Sequence, residues 1–227
     1  MFYRHPAFYA GARATLPVLL GIIPFGVITG VAMVASGIPP LAAMLMSIFV
    51  FAGASMVASA QLLASGAPAV LIVLTTLIIN LRFMMYSASL RLYFASAPLG
   101  ARLAVAYLTA DNVYGLMLSR FSEHPDDKGR LEYFLGSGIL VWGVWQAAVA
   151  AGIGIGAGVP GSWRLEFAAP LAFIAMSVPL MRDRAMVAAA LAAGIAVVLA
   201  HDLPLKLSIV AAAATGIAAG LLVERKK

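Results

Sequence analysis

Of the 227 residues, 63% are apolar and 11% charged, against roughly 45–50% and about 25% in soluble domains. With a mean hydropathy of +1.00 this excludes a water-soluble fold, and the absence of cysteine excludes a disulfide-stapled domain and Cys-ligated zinc or iron–sulfur centres. The net charge of +6 arises from Lys and Arg that flank apolar runs, the pattern of headgroup contact in a lipid bilayer, and no basic stretch interleaved with aromatics calls for nucleic acid.

Apolar runs bounded by turn signals define the expected helices. Arg4 and Arg13 precede an apolar stretch over 16–35, longer than a signal-peptide core, so it reads as a retained first span over 15–35. Ser36-Gly37-Ile38-Pro39-Pro40 ends it, and a second run over 41–64 stops at Ser65-Gly66-Ala67-Pro68. The third covers 69–90 and is followed by Arg91 and the Ala97-Pro98-Leu99-Gly100 turn. A shorter run over 103–121 is interrupted by Asp111 and Asn112, and 122–132 is the one clearly hydrophilic loop. Runs over 134–158, 167–181, 185–200 and 207–223 complete the chain.

The runs are long and lack period-two alternation, so they are helices rather than barrel strands. The fold class is all-α: a polytopic membrane helix bundle of about seven spans, eight being the other count, in one integral-membrane domain over 1–227. The choice turns on 103–121. Lys and Arg counting leaves it open, because both counts put Lys128, Arg130, Arg182, Arg184 and Arg225-Lys226-Lys227 on the inside and differ only in the side of the N-terminus. The glycine-rich helix leading into Gly37-Ile38-Pro39-Pro40 is echoed by the one leading into Gly158-Val159-Pro160-Gly161. An inverted repeat with halves 13–121 and 131–223 would explain the echo and favours seven crossings, with 103–121 short, broken or re-entrant.

The run from Leu74 to Ser87 places Asn80 and Arg82 inside an apolar segment. An ionised Arg near the bilayer centre costs roughly 2.5–3.5 kcal/mol. It is kept there by a partner or a wet cavity, where its planar fork grips a carboxylate. Otherwise the helix ends near Asn80 and Arg82 snorkels to the interface. Asp111 is the acidic residue within an apolar run; it neutralises Arg82, carries a coupling proton, binds a substrate ammonium, or is the N-cap of a half-helix starting at Asn112. Gly21, Pro24, Gly26 and Gly30, then Phe51-Ala52-Gly53-Ala54-Ser55, serve either close helix packing or an unwound segment lining a site. Pro24 and Gly53 are the positions assigned to a site. Gln61, Thr75, Thr76, Tyr86 and Gln146 are polar liners or interhelical hydrogen-bond partners. Trp142 and Trp145 read as interfacial belt or packing, and the methionines as gap-fillers.

Enzyme signatures are missing: His5, His124 and His201 stand at segment ends, and Gly152-Ile153-Gly154-Ile155-Gly156 follows a helix rather than a strand. No phosphate-cradling loop with lysine calls for ATP. The expectation is therefore no enzyme, no metal and no cofactor.

Ile23-Pro24-Phe25-Gly26, Phe51-Ala52-Gly53-Ala54-Ser55, and Thr75-Thr76-Leu77 with Asn80-Leu81-Arg82 resemble the AzlC family of branched-chain amino-acid permeases. Leu108-Thr109-Ala110-Asp111, Leu165-Glu166-Phe167-Ala168-Ala169-Pro170 with Phe173, and Val178-Pro179-Leu180 agree. The resemblance implies a multi-pass bacterial inner-membrane secondary transporter. It would export valine, leucine, isoleucine or methionine with a small AzlD-type partner of about four spans. Substrate binding would then fall to Arg82, Asn80, Pro24, Gly53, Thr76 and Tyr86, with Asp111 as coupling group or counter-ion. Met56 stands where the family usually has Gln, Phe83 where it commonly has His, and Asn112 where an acidic residue often follows the aspartate. A membrane scaffold subunit without transport activity is the second reading.

Overall fold

The computed structural model describes residues 5–124, 129–158, 183–200 and 207–224. Their helices fall into two compact units, one within Met1–Ala172 and one within Phe173–Lys227. The first unit contains α1 (Pro6–Ala35), α2 (Pro40–Val50), α3 (Gly53–Ala64), α4 (Ala69–Phe94), α5 (Leu99–Leu108), α6 (Asp111–Glu123) and α7 (Arg130–Gly158). The second contains α8 (Arg184–Leu199) and α9 (Leu207–Glu224). Among the described residues there is no strand. The expected run 167–181 lies outside them, as do 159–182 and 201–206 of the expected second repeat half.

Among the described residues three helices, α1, α4 and α7, are long and apolar enough to cross a bilayer. At about 1.5 Å per residue they exceed the roughly 30 Å hydrocarbon core. The spine of the first unit is α1 against α7. A Cβ on Gly11 would collide with the Tyr133 backbone, one on Gly30 with that of Val149, and one on Gly152 with that of Val27. Backbones meet there because nothing larger than hydrogen intervenes, the small-residue packing used where lipid gives helices no hydrophobic drive to associate. The Thr15 hydroxyl, bonded to the Gly11 carbonyl, meets the Ser137 hydroxyl at 2.7 Å in the same seam. Contacts climb together along both helices, from Gly11 with Tyr133 to Val31 with Gly156, so α1 and α7 run parallel. The two glycine-rich helices of the sequence echo are thus neighbours pointing one way.

Directions of the remaining elements follow from their partners at each height. Helix α2 starts beyond the far end of α1 and descends until Ser47 meets Trp145 and Gln146. There the chain breaks: Phe51 is left-handed (φ 44°, ψ 44°) and Ala52 extended. Helix α3 begins at that depth, with Gly53 against Phe25 and Trp145, and returns toward the far end, where Ser59 bonds Thr76 of α4 at 2.7 Å. Helix α4 then descends the full height, bringing Phe94 to Phe134 near the start of α7. Helix α5 rises from that near end until Leu108 lies against Gly138. After the extended residues Thr109 and Ala110, α6 descends again, carrying Phe121 back to Tyr93 and Phe94.

Two half-depth hairpins therefore enter from opposite ends and meet at their tips. Tyr107 at the α5 tip donates its hydroxyl hydrogen to the Ile48 carbonyl at 2.6 Å and accepts from Trp142 Nε1 at 2.8 Å. The Phe51 and Tyr107 rings lie 6.1 Å apart. This corrects the expectation that 41–64 makes one crossing. Its 11- and 12-residue halves each reach only about 15–20 Å. Residues 103–121 belong to a re-entrant pair that starts earlier, at Leu99. The plan of long helix, half-helix, break and half-helix occurs twice, in α1–α3 and, upside down, in α4–α6.

Pro24 does not interrupt α1, which is helical from Pro6 to Ala35 with both Pro17 and Pro24 inside it. The glycine seam to α7 holds the helix on either side of Pro24, so the freed carbonyls do not unwind it. Trp145 is buried within the core rather than placed in an interfacial belt. Met33, Met56 and Met117 are fully buried fillers.

In the second unit α8 and α9 form an antiparallel pair. Gly216 faces Ala189 and Ala193, and Gly220 faces Ala185 and Ala189. Asp183 caps α8 by accepting from the Met186 amide at 2.8 Å.

Candidate functional site

The second hairpin tip carries the charges. Helix α4 runs unbroken through Arg82, and α6 starts at Asp111 beside it. Arg82 Nη1 lies 2.9 Å from Asp111 Oδ2, and Tyr86 Oη donates to Asp111 Oδ1 at 2.8 Å. Arg82 and Tyr86 are four residues apart, which puts them on one helical face. The Tyr86 ring stacks on Tyr114 at 4.2 Å and meets Phe83 edge-on at 5.9 Å. Phe83 also lies under the Arg82 guanidinium, 5.0 Å from its centroid, the electrostatic attraction of a cation for a ring face.

The Asp111 carboxylate is committed to Arg82 and Tyr86 and makes no cap bond; Ala110 is the N-cap residue of α6. The N-cap alternative is thereby corrected. Its charge nonetheless lies in the first turn of α6, where the exposed amides favour an anion. The Arg82 side chain is 29% exposed and that of Asp111 46%. Among the described residues, buried Arg82 Nε, a donor, has no partner, and neither has the acceptor Asn80 Oδ1 on another face of α4.

The residues expected at a site divide into groups. Arg82, Tyr86 and Asp111 come together. Asn80 and Arg82, two residues apart, point about 200° apart around α4. Thr76 shares the Asn80 face, and its hydroxyl is engaged by Ser59 and by the Ile72 carbonyl. Gly53 belongs to the other tip, beneath Phe25 and Trp145, and Pro24 lies within continuous α1. Gln146 is an interhelical partner: its Oε1 accepts from the Ser47 hydroxyl and its Nε2 donates to the Ser47 carbonyl. Sequence reasoning missed Tyr114 and Tyr107. Tyr114 was within reach, three residues after Asp111 on the same half-helix; Tyr107 needed the long-range meeting of the two hairpins.

An open-sided cavity of about 270 Å³ lies between the near-end half of α4 and α5, with Leu99 66% and Leu103 62% exposed along it. Leu90, Phe94, Leu99, Leu103 and Val105 make it apolar, Arg91 and Arg102 are at its side, and Ser87 and Thr109 are at the end toward the hairpin tip.

Half-helices that turn back at mid-height, with an ion pair at one tip, set this unit apart from a simple bundle of long helices. The sequence matches the family described as AzlC protein over residues 17–159, which span the seven-helix unit from within α1 to the end of α7. The chain belongs to the AzlC family, and is a membrane protein of branched-chain amino-acid transport. Searches of curated proteins and of solved structures return no match.

Proposed function

We propose that the chain is a secondary transporter of the bacterial inner membrane. It exports small apolar amino acids (valine, leucine, isoleucine, methionine) together with a small AzlD-type subunit. The observation that carries this reading is the Arg82–Asp111 pair, bonded to Tyr86, at the tip of a broken helix in a family of amino-acid transport. The pair is internally neutral. An anion or cation entering alone would displace one partner and leave the other without its counter-charge. A zwitterion exchanges one for one, its carboxylate taking Arg82 and its ammonium taking Asp111. The free Arg82 Nε supplies one further donor for a carboxylate.

The apolar surroundings fit an aliphatic side chain and discriminate weakly, since one methylene is worth only about 1–3 kcal/mol. Phe83, under the Arg82 guanidinium, keeps this region more apolar than the His common at that position in the family would. Competition among leucine, isoleucine, valine and methionine is the expected pattern.

The deciding experiment feeds cells leucine- or methionine-containing dipeptides and follows intracellular free amino acid. Expression of the chain with its partner should lower the accumulation and relieve the growth arrest it causes. Undiminished accumulation would sink the export reading.

A further inference from the structure

The cavity between α4 and α5 is lined by none of Arg82, Tyr86 and Asp111. Its wall is apolar, yet Arg91 on α4 and Arg102 on α5 both border it, and among the described residues neither has an ion-pair partner. Along α4, Arg91 is nine residues from Arg82, or about 13 Å; along α5, Arg102 is seven from Thr109, or about 10 Å. Thr109 and Ser87, which close the inner end, are two residues from Asp111 and one from Tyr86. The cavity thus has a basic rim along its sides and runs at its inner end toward the ion pair.

Charge also fixes which side the rim faces. Between Ala14 and Leu81 the sequence has no charged residue, and that stretch includes both turns at the far end, 36–39 and 65–68. Arg13, Arg91, Arg102, Arg120 and Arg130 all belong to near-end halves of their helices. Basic residues collect on the cytoplasmic side, so the near end, with the N-terminus of α1, is cytoplasmic.

We infer that this cavity is a cytoplasmic loading vestibule, in which a zwitterion with a short aliphatic side chain is held by Arg91 and Arg102 before it reaches Arg82. The inference rests on the transport reading for its ligand, but not for its location or its electrostatics. Cations without an ion-pair partner among the described residues raise the local concentration of a carboxylate beside them, while the apolar wall accepts the side chain.

The chain has no cysteine, so Leu103→Cys puts a single thiol in the vestibule wall. Intact cells and inside-out vesicles expressing the full chain are treated with anionic and neutral methanethiosulfonates of equal size. The anionic reagent should modify the thiol from the cytoplasmic face only, and L-leucine should slow it several-fold. Arg91→Gln with Arg102→Gln should lower the anionic-to-neutral rate ratio roughly fivefold or more. Modification from the opposite face, or a ratio the arginines do not move, overturns the vestibule. A normal ratio without protection, in vesicles that still show leucine counterflow, overturns the amino-acid assignment and leaves a lipid phosphate as what the arginines hold. Loss of leucine counterflow with face and ratio as expected overturns the transport reading and keeps the vestibule.

Discussion

The two hairpin tips share a backbone plan and differ in what fills it. At the first, Phe51 takes a left-handed conformation, the single positive φ among described non-glycine residues, and Gly53 lies under Phe25 and Trp145. Ser47, Gln146 and Trp145 form a closed hydrogen-bond set beside it. At the second, Thr109 and Ala110 are extended, and Asp111 reaches Arg82 and Tyr86 with its side chain half exposed. One break is packed by rings beside a hydrogen-bonded set; the other carries an ion pair whose carboxylate is half exposed. On the function proposed above, the first tip is the support and the second carries the chemistry.

Removing the guanidinium tests that division most severely. Arg82→Ala deletes the carboxylate partner and leaves Asp111 with Tyr86 alone; a hydrogen bond to a charged group is worth about 1.5–3 kcal/mol, so leucine efflux should fall roughly a hundredfold. Arg82→Lys keeps the charge but not the fork and should recover only part of it. Wild-type efflux from the alanine variant would remove Arg82 from the site.

Asp111→Asn keeps an oxygen for the Tyr86 hydroxyl and loses the charge. Efflux should drop about tenfold, in line with the roughly 1.5–3 kcal/mol of a hydrogen bond to a charged group. If Asp111 carries the coupling proton, the remaining flux should no longer respond to an imposed pH gradient while leucine exchange continues. A gradient response that survives in the asparagine variant would leave Asp111 as counter-ion alone.

The first tip should respond in stability instead. A Cβ at Gly53 collides with Phe25 and Trp145, and overpacking typically costs about 1–3 kcal/mol. Gly53→Ala should therefore lower the Tm of the purified protein, by about 2–4 °C per kcal/mol at this chain length. Its apparent KM for leucine should stay near wild type, and a large KM rise without a Tm change would reverse the roles of the tips.

Much of this was legible in the sequence, and the misses have physical causes. The apolar runs gave the long helices because lipid demands their composition. The Phe51-Ala52-Gly53 break and the short run around Asp111 were visible as small or polar interruptions. Direction was not visible: a broken apolar run of 24 residues has the same composition whether it crosses or turns back. Only long-range partners, Ser59 with Thr76 and Phe94 with Phe134, settle that it returns. Arg82 and Asp111 stood out because charge in lipid is costly. Asn80 and Thr76 were grouped with them by proximity in sequence, although helical rotation turns them to another face. Pro24 was read as a break from local chemistry alone, whereas the tight α1–α7 seam decides its surroundings.

The smallest effect probes where the two tips touch. Tyr107→Phe keeps the ring beside Phe51 and removes the hydroxyl that links the Ile48 carbonyl to Trp142. One ordinary hydrogen bond is worth about 1 kcal/mol net, and more if its partners are left dry and unpaired. The Tm should thus fall by a few degrees, at about 2–4 °C per kcal/mol. Because the hydroxyl bridges the hairpins and touches neither Arg82 nor Asp111, leucine competition against methionine should be unaltered. The transport rate is the informative quantity. If the tips separate during each cycle, weakening their link speeds or slows turnover while the Tm falls. If they stay together throughout, turnover follows the amount of folded protein and nothing else. Measuring both on one preparation separates a moving contact from a fixed one, and with it decides whether the ring-packed tip is a stationary support for the charged one.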